Sequence, residues 1–247
     1  NNLQFVEHNV KEDIAGNTIK IKLNIFEGEK NIVERINIKG NITTNEDVIR
    51  GELIIDEGDP LTKLNLEKSI AEIKERRIFK DVDYMITDGS SSNAKVIDIQ
   101  VEEQATGEIS AGAGIGTSGG TVAFSIKENN WLGEGKNVNF EIELSDESVA
   151  GDLTFSDPNY DYLGNSFYYA LSSEKNDKPD QGYENSIISG SIGTSFEQYK
   201  DFDLSLGLAL SLDDLQTEDN ASSSLKKQAG TFSEFSANYG FTYDKRN

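Results

Sequence analysis

Glu141 and Glu143 stand two residues apart in the run Asn139-Phe140-Glu141-Ile142-Glu143, so on a β-strand their carboxylates project from one face. A pair of carboxylates is the equipment of glycoside hydrolysis, which needs one acid of raised pKa beside an ionised partner. Nothing around these two separates their environments, and charge on a polar strand face is the simpler reading. Asp213, Asp214, Glu218 and Asp219 gather oxygen donors of the kind calcium takes. Their spacing lacks the glycine hinge and closing glutamate of an EF-hand, so they read as a solvated loop. Gly112-x-Gly114-x-Gly116 has glycine spacing suited to a dinucleotide loop, but such a loop cradles phosphate only where a helix follows. Here Gly119-Gly120 and another strand-like run follow instead. The chain has no cysteine and one histidine, His8. Thiolate nucleophiles, disulfides and cysteine zinc sites are excluded, and histidine-based triads have almost nothing to draw on. The expectation is no catalytic residue, no bound cofactor and no metal, with His8 a surface residue.

The 44 acidic residues outnumber 23 basic ones, for a formal net charge of −21. Such a surface repels phosphate backbones, which argues against nucleic-acid binding. No apolar run approaches the roughly 20 residues of a membrane helix, and no signal peptide opens the chain. A transmembrane β-strand, however, needs only about 9–11 residues, half of them apolar.

Two regions follow different patterns. In the first, Phe5–Asp13 and Thr18–Ile25 read as strands around Ala15-Gly16-Asn17, and Ile32–Ile38 as a third strand closed by Gly40. Thr43-Thr44-Asn45-Glu46 has the form of a capping box with Thr43 as cap, predicting a helix to about Leu53. Asp59-Pro60 breaks the chain. A second helix is predicted over 64–77, with Leu66, Ile70 and Ile73 on one face. Val82–Asp88 and Val96–Glu103 then form a hairpin around Gly89-Ser90-Ser91-Ser92. The segment 5–29 resembles 82–104, as an internal repeat cut at its N-terminus would.

From Gly107 the helical signals stop and period-two alternation takes over. In 203–212 every even position is leucine and every odd one is small or polar. Val138, Phe140, Ile142 and Leu144 alternate with polar residues in the same way. Eight strands are predicted, at about 107–116, 121–129, 137–145, 149–157, 165–173, 186–196, 202–212 and 231–243. A soluble sandwich would also alternate. Aromatic placement favours the membrane: Trp131, then Tyr160 and Tyr162, then Phe196, Tyr199 and Phe202 flank every second connection, as a periplasmic girdle would. Two of the other connections, 174–185 and 213–230, are expected to be long polar outer loops.

The run Val33-Glu34-Arg35-Ile36-Asn37-Ile38-Lys39-Gly40-Asn41, with Val48–Leu53, Glu57-Gly58-Asp59 and Arg76–Val82, resembles a polypeptide-transport-associated (POTRA) domain. Thr106-Gly107 with Gly112-Ala113-Gly114-Ile115-Gly116 resembles the first barrel strand of the BamA family. Asn130-Trp131-Leu132-Gly133-Glu134-Gly135 and Asp157-Pro158-Asn159-Tyr160 are similar to that family's first two periplasmic turns, and Tyr239–Asp244 to a later strand. Gly51 stands where the family has a bulkier, often basic residue, and Ile78-Phe79 replaces a Gly-Phe-Phe-like corner.

The resemblance implies a fold class: an α+β POTRA domain (β-α-α-β-β), then antiparallel transmembrane β-barrel strands, about eight of them, in an incomplete barrel. The implied domains are 1–28, closing hairpin of a preceding POTRA domain; 29–104, a POTRA domain; and 105–247, the N-terminal part of an outer-membrane barrel. The chain is expected to be a fragment lacking the later strands, the inward loop and the closing strand. The implied function is assembly and insertion of β-barrel proteins into the outer membrane of a Gram-negative bacterium, without covalent catalysis. A POTRA-barrel secretion transporter is the alternative; a simple porin and a soluble acidic β-enzyme fit less well. Implied partners are accessory lipoproteins, docking through Glu52, unfolded outer-membrane clients and outer-membrane lipid. The implied client-strand seam is Ile109, Ser110, Ala111, Gly112, Ala113, Gly114 and Ile115.

Overall fold

The computed structural model describes residues 6–15, 18–27, 30–116 and 119–245. They divide into two compact units: the residues up to Asn41 with Glu52–Glu103, and Ile42–Gly51 with the residues from Gln104 onward.

In the first unit, β1 (Val6–Ala15) and β2 (Thr18–Glu27) pair antiparallel as a sheet of their own. Gly16 and Asn17 of the expected turn, Phe5 of the expected strand and the side chain of His8 lie outside the described residues. Ile19, Ile21 and Leu23 fall on one face of β2, and that face is exposed. β3 (Ile32–Lys39) runs parallel to β5 (Ala94–Glu103), which pairs antiparallel with β4 (Phe79–Asp88). The strand order is therefore β3-β5-β4. Gly40 ends β3 with φ of +93°, and a Cβ there would lie 2.0 Å from the Val101 carbonyl oxygen, so only glycine fits. Helix α2 (Lys63–Glu75) is capped by Thr62, whose hydroxyl accepts the Asn65 N–H at 3.2 Å. Leu66, Ile70 and Ile73 are buried as their spacing predicts, and they share the core with Val33, Ile36, Val82, Ile97, Ile99 and Val101. Lys39 Nζ and Asn37 Nδ2 both donate to Asp98 across the β3–β5 pair, and these bonds hold the Asp98 carboxyl below the usual aspartate range.

The first helix departs from expectation. α1 spans only Glu46–Arg50, and its cap is Asn45 rather than Thr43. Glu46 does not close a capping box; it accepts from Arg50 Nε at 2.7 Å, one turn on. The Asn45 N–H instead donates to the Gly133 carbonyl at 2.8 Å. A partner far along the chain fixes this helix start, and a local motif cannot report it.

The second unit is one antiparallel sheet. Its strands are β6 (Gly107–Gly116), β7 (Gly119–Trp131), β8 (Lys136–Ser145), β9 (Ser148–Asp157), β10 (Ser166–Lys178), β11 (Tyr183–Tyr199), β12 (Phe202–Thr217) and β13 (Gly230–Tyr243). They pair strictly in chain order, with β6 and β13 at the two edges. All eight expected strands are present. The outer ends differ. β10 runs on to Lys178 and β11 begins at Tyr183, so the expected loop 174–185 is mostly paired strand. β12 likewise continues to Thr217, leaving 218–229, which contains the single-turn α3 (Ser223–Lys226). Backbone pairing does not require apolar side chains, so a polar stretch continues the ladder beyond the alternating part. The Glu218 N–H donates to the Gly182 carbonyl, and Asn220 Nδ2 donates to Pro179 O, tying that loop onto the turn 179–182.

Burial in this sheet is inverted relative to a soluble protein. Among the described residues the fully buried apolar side chains stop at Val101, apart from Ala221. On β12, Leu206, Leu208, Leu210 and Leu212 are all exposed, between 44% and 52%. They align across the ladder with Ile192 and Ile188 on β11 and with Phe235 and Tyr239 on β13. The opposite face carries Ser125, Glu141, Asp152, Ser172, Ser189, Ser191 and Ser211. No second layer covers the apolar face among the described residues, which removes the soluble-sandwich reading. The strands run from 10 to 17 residues, long enough to cross a bilayer. No described helix is long and apolar enough to do so, which says nothing of strands.

Candidate functional site: an exposed strand edge and the turns beside it

Among the described residues β6 pairs along one side only, with β7, in the register Ile109↔Ile126, Ala111↔Phe124, Ala113↔Val122 and Ile115↔Gly120. The expected seam residues therefore lie on one edge. Ile109, Ala111, Ala113 and Ile115 share the apolar face of the sheet; Ser110, Gly112 and Gly114 share the polar face. Every residue of β6 is exposed, Ile115 at 95%. A Cβ built at Gly112, Gly114 or Gly116 meets nothing within 4 Å among the described residues, and none has a left-handed φ. What they leave is a strand with few side chains to grip its neighbour or hold a register. The free side of β6 offers backbone N–H and C=O groups, a template for another strand.

The expected girdle aromatics all come to one end of the sheet. Trp131 closes β7, Tyr160 and Tyr162 lie in the turn 158–165, Phe196 and Tyr199 end β11, and Phe202 opens β12. Tyr160 packs edge-on to Phe167 with centroids 6.3 Å apart, and Phe202 packs against Phe241 at 5.6 Å. Because the strands are a simple meander, this is the end shared by the turns 132–135, 158–165 and 200–201. Connection length separates the two ends less than expected, since 146–147 and 179–182 at the opposite end are also short.

Glu52 is not a solvated carboxylate at the end of a helix. It follows the α1 C-cap Gly51 and lies 3.6 Å from Arg76 Nη1, with both side chains 13% exposed. The acids considered for chemistry disperse. Glu141 and Asp152 face each other across β8 and β9 on the polar face, and Asp214 accepts from Thr231 and Gln216. No cluster of metal-ligating side chains forms among the described residues.

Two residues that the sequence offered only as members of turn motifs do structural work at the turn end. Asn130 Oδ1 accepts the Gly135 N–H at 2.8 Å, and its Nδ2 donates to Thr44 Oγ1 at 2.9 Å. Asn159 Oδ1 accepts the Gly164 N–H at 2.8 Å, and its Nδ2 donates to the Gly51 carbonyl at 3.0 Å. The sequence signal was an asparagine five residues before a turn glycine, twice over. In the second turn, burial pushes the Asp161 carboxyl up, but bonds from the Asn165 side chain and the Leu163 N–H outweigh it and hold it below the usual range. The unusual Gly51 also gains a reason here. A Cβ at Gly51 would lie 2.6 Å from the Tyr162 ring, so the ring occupies the space a side chain would need.

Comparison with known proteins places this geometry. Residues 130–247 match the Omp85 superfamily domain, and residues 31–104 match the POTRA repeat described as a surface antigen variable number repeat. The outer membrane protein assembly factor BamA of Neorickettsia risticii is 26% identical over 223 residues, 88% of this chain. BamA of Neisseria meningitidis is 25% identical over 197 residues, 79% of this chain. This chain is BamA-like, with an Omp85 superfamily match following a POTRA match. It spans 30% of the Neorickettsia protein and 23% of the Neisseria protein. A structure of BamA from Haemophilus ducreyi lacking POTRA domains 1–3 superposes with a TM-score of 0.74 at 19% identity, covering 98% of this chain and 50% of that one. CdiB from Escherichia coli superposes with a TM-score of 0.56 at 15% identity, covering 98% and 46%. The fold is thus a POTRA domain followed by barrel strands, here an open sheet. The protein belongs to the bacterial outer membrane, with its POTRA domain on the periplasmic side.

Proposed function

We propose that the protein assembles β-barrel proteins into the outer membrane, and that β6 is the edge at which a client strand is recruited. The observation that carries this is the state of β6: paired on one side, exposed at every residue, and glycine-rich where space would admit side chains. Pairing to a free backbone edge supplies hydrogen bonds without demanding a particular client sequence, which suits many clients. In this reading the driving force is the client's own folding and the burial of its apolar face in lipid. The BamA relatives named as assembly factors support this reading.

The domains are proposed as 1–28, closing hairpin of a preceding POTRA unit, then 29–104 and 105–247. The aromatics at the turn end form the periplasmic girdle, and accessory lipoproteins dock on the POTRA domain. Glu52 takes part in that docking only by exchanging or sharing its ion pair with Arg76. The fold likeness to CdiB supports a second reading, passage of a polypeptide through the lumen.

Reconstitution separates the two. Full-length protein in liposomes is given an unfolded barrel client. Assembly predicts a client embedded in the bilayer, folded and protease-resistant; client recovered free inside the vesicles would establish transport instead.

A further inference from the structure

Asn130 and Asn159 belong to different turns, yet each makes the same two bonds. Each Oδ1 closes its own turn by accepting the N–H of a glycine five residues on, Gly135 or Gly164. Each Nδ2 then reaches out of the turn to the segment Ile42–Gly51: Asn130 to Thr44 before α1, and Asn159 to the Gly51 carbonyl after it. The first end is reinforced by the Asn45 N–H donating to Gly133 O. Gly133, with φ of +76°, brings its backbone so close that a Cβ would lie 2.2 Å from the Thr43 carbonyl oxygen. The second end is reinforced by the Tyr162 ring over Gly51. Thr44 is 3% and Asn130 8% exposed, so their bond is sheltered from competing water.

We propose that segment 42–51 is a cross-brace of the barrel. It ties the β7–β8 turn to the β9–β10 turn and fixes the spacing of the two hairpins, with Asn130 and Asn159 as its positioning residues. The segment clusters with the barrel strands, although the POTRA match runs through it. β6 lies outside the brace, so the strands behind the edge are held while the edge itself stays free to exchange. The brace stands on these bonds and does not depend on what the edge binds.

The test separates bracing from turn closure. Thr44→Val removes the hydroxyl acceptor and leaves the Asn130–Gly135 bond. Asn159→Asp keeps an acceptor for Gly164 but turns the group facing the Gly51 carbonyl from a donor into an oxygen. Spin labels at Leu132 and Leu163, exposed at 75% and 81%, report the spacing of the two turns in the full-length protein in lipid nanodiscs. The parent is expected to give one narrow distance distribution. T44V/N159D should broaden it at least about twofold, Thr44→Ser should restore it at that end, and Ser189→Ala, which removes a mid-sheet bond to Ser172, should leave it unchanged. If the double variant does not fold, N159D alone, at a partly exposed turn, carries the same expectation. An unchanged width in a folded N159D or T44V/N159D, or equal broadening in S189A, would overturn the brace.

Discussion

Leucine at 208 and alanine at 209 are neighbours in sequence and opposites in environment. Leu208 lies on the uncovered apolar face, level with Ile192 and Ala237; Ala209 lies on the polar face, level with Ser191 and Ser236. Arginine at Leu208 in the full-length protein should cost ~2–4 kcal/mol if that position is near the bilayer midplane. Arginine at Ala209 faces the polar side and should cost clearly less. Unfolding midpoints in lipid vesicles measure both, and equal costs or the reverse order would invert the two faces. At this scale the sequence was most legible where a residue's role depends on its parity along a strand. It was least legible where the role depends on a distant partner. Glu52 read only as a docking residue because its ion-pair partner Arg76 lies far along the chain, and Gly51 read as an oddity because Tyr162 was not known to cover it.

The strand β6 carries glycines with open space around them among the described residues. Replacing Gly112 and Gly114 with threonine puts β-branched side chains into open space on a polar face. Each change favours strand pairing by up to about 1 kcal/mol. The double variant should fold, show slower hydrogen exchange along β6–β7, and assemble clients more slowly. Unchanged exchange together with unchanged assembly would show that loose pairing of β6 has no role. Elements with a strict period were readable in sequence: the Leu66, Ile70 and Ile73 stripe of α2 and all eight sheet strands. Element ends were not. β10, β11 and β12 run past their alternating parts because polar residues pair through their backbones as well as apolar ones do. α1 begins at Glu46 because the Gly133 carbonyl holds Asn45, where a local capping motif pointed to Thr43.

Across the whole molecule, one unit buries an apolar core and the other displays an apolar face. Composition alone reads as acidic and hydrophilic, because half of every membrane strand is polar and the outer strand ends are charged. The assignment of 42–51 to the barrel unit was invisible in sequence, since the POTRA pattern runs through it without a break. The central claim is that clients pair with the β6 edge and not with the interior of the sheet. Site-specific disulfide trapping during assembly tests it in the full-length protein, helped by the absence of cysteine from this chain. Ser110 on β6 and Ser172 on β10 both lie on the polar face, but β10 is paired on both sides by β9 and β11. A cysteine at Ser110 should capture a cysteine-bearing terminal strand of a barrel client, and a cysteine at Ser172 should not. Capture at Ser172 equal to or above that at Ser110 would contradict the account and place the client's path in the lumen.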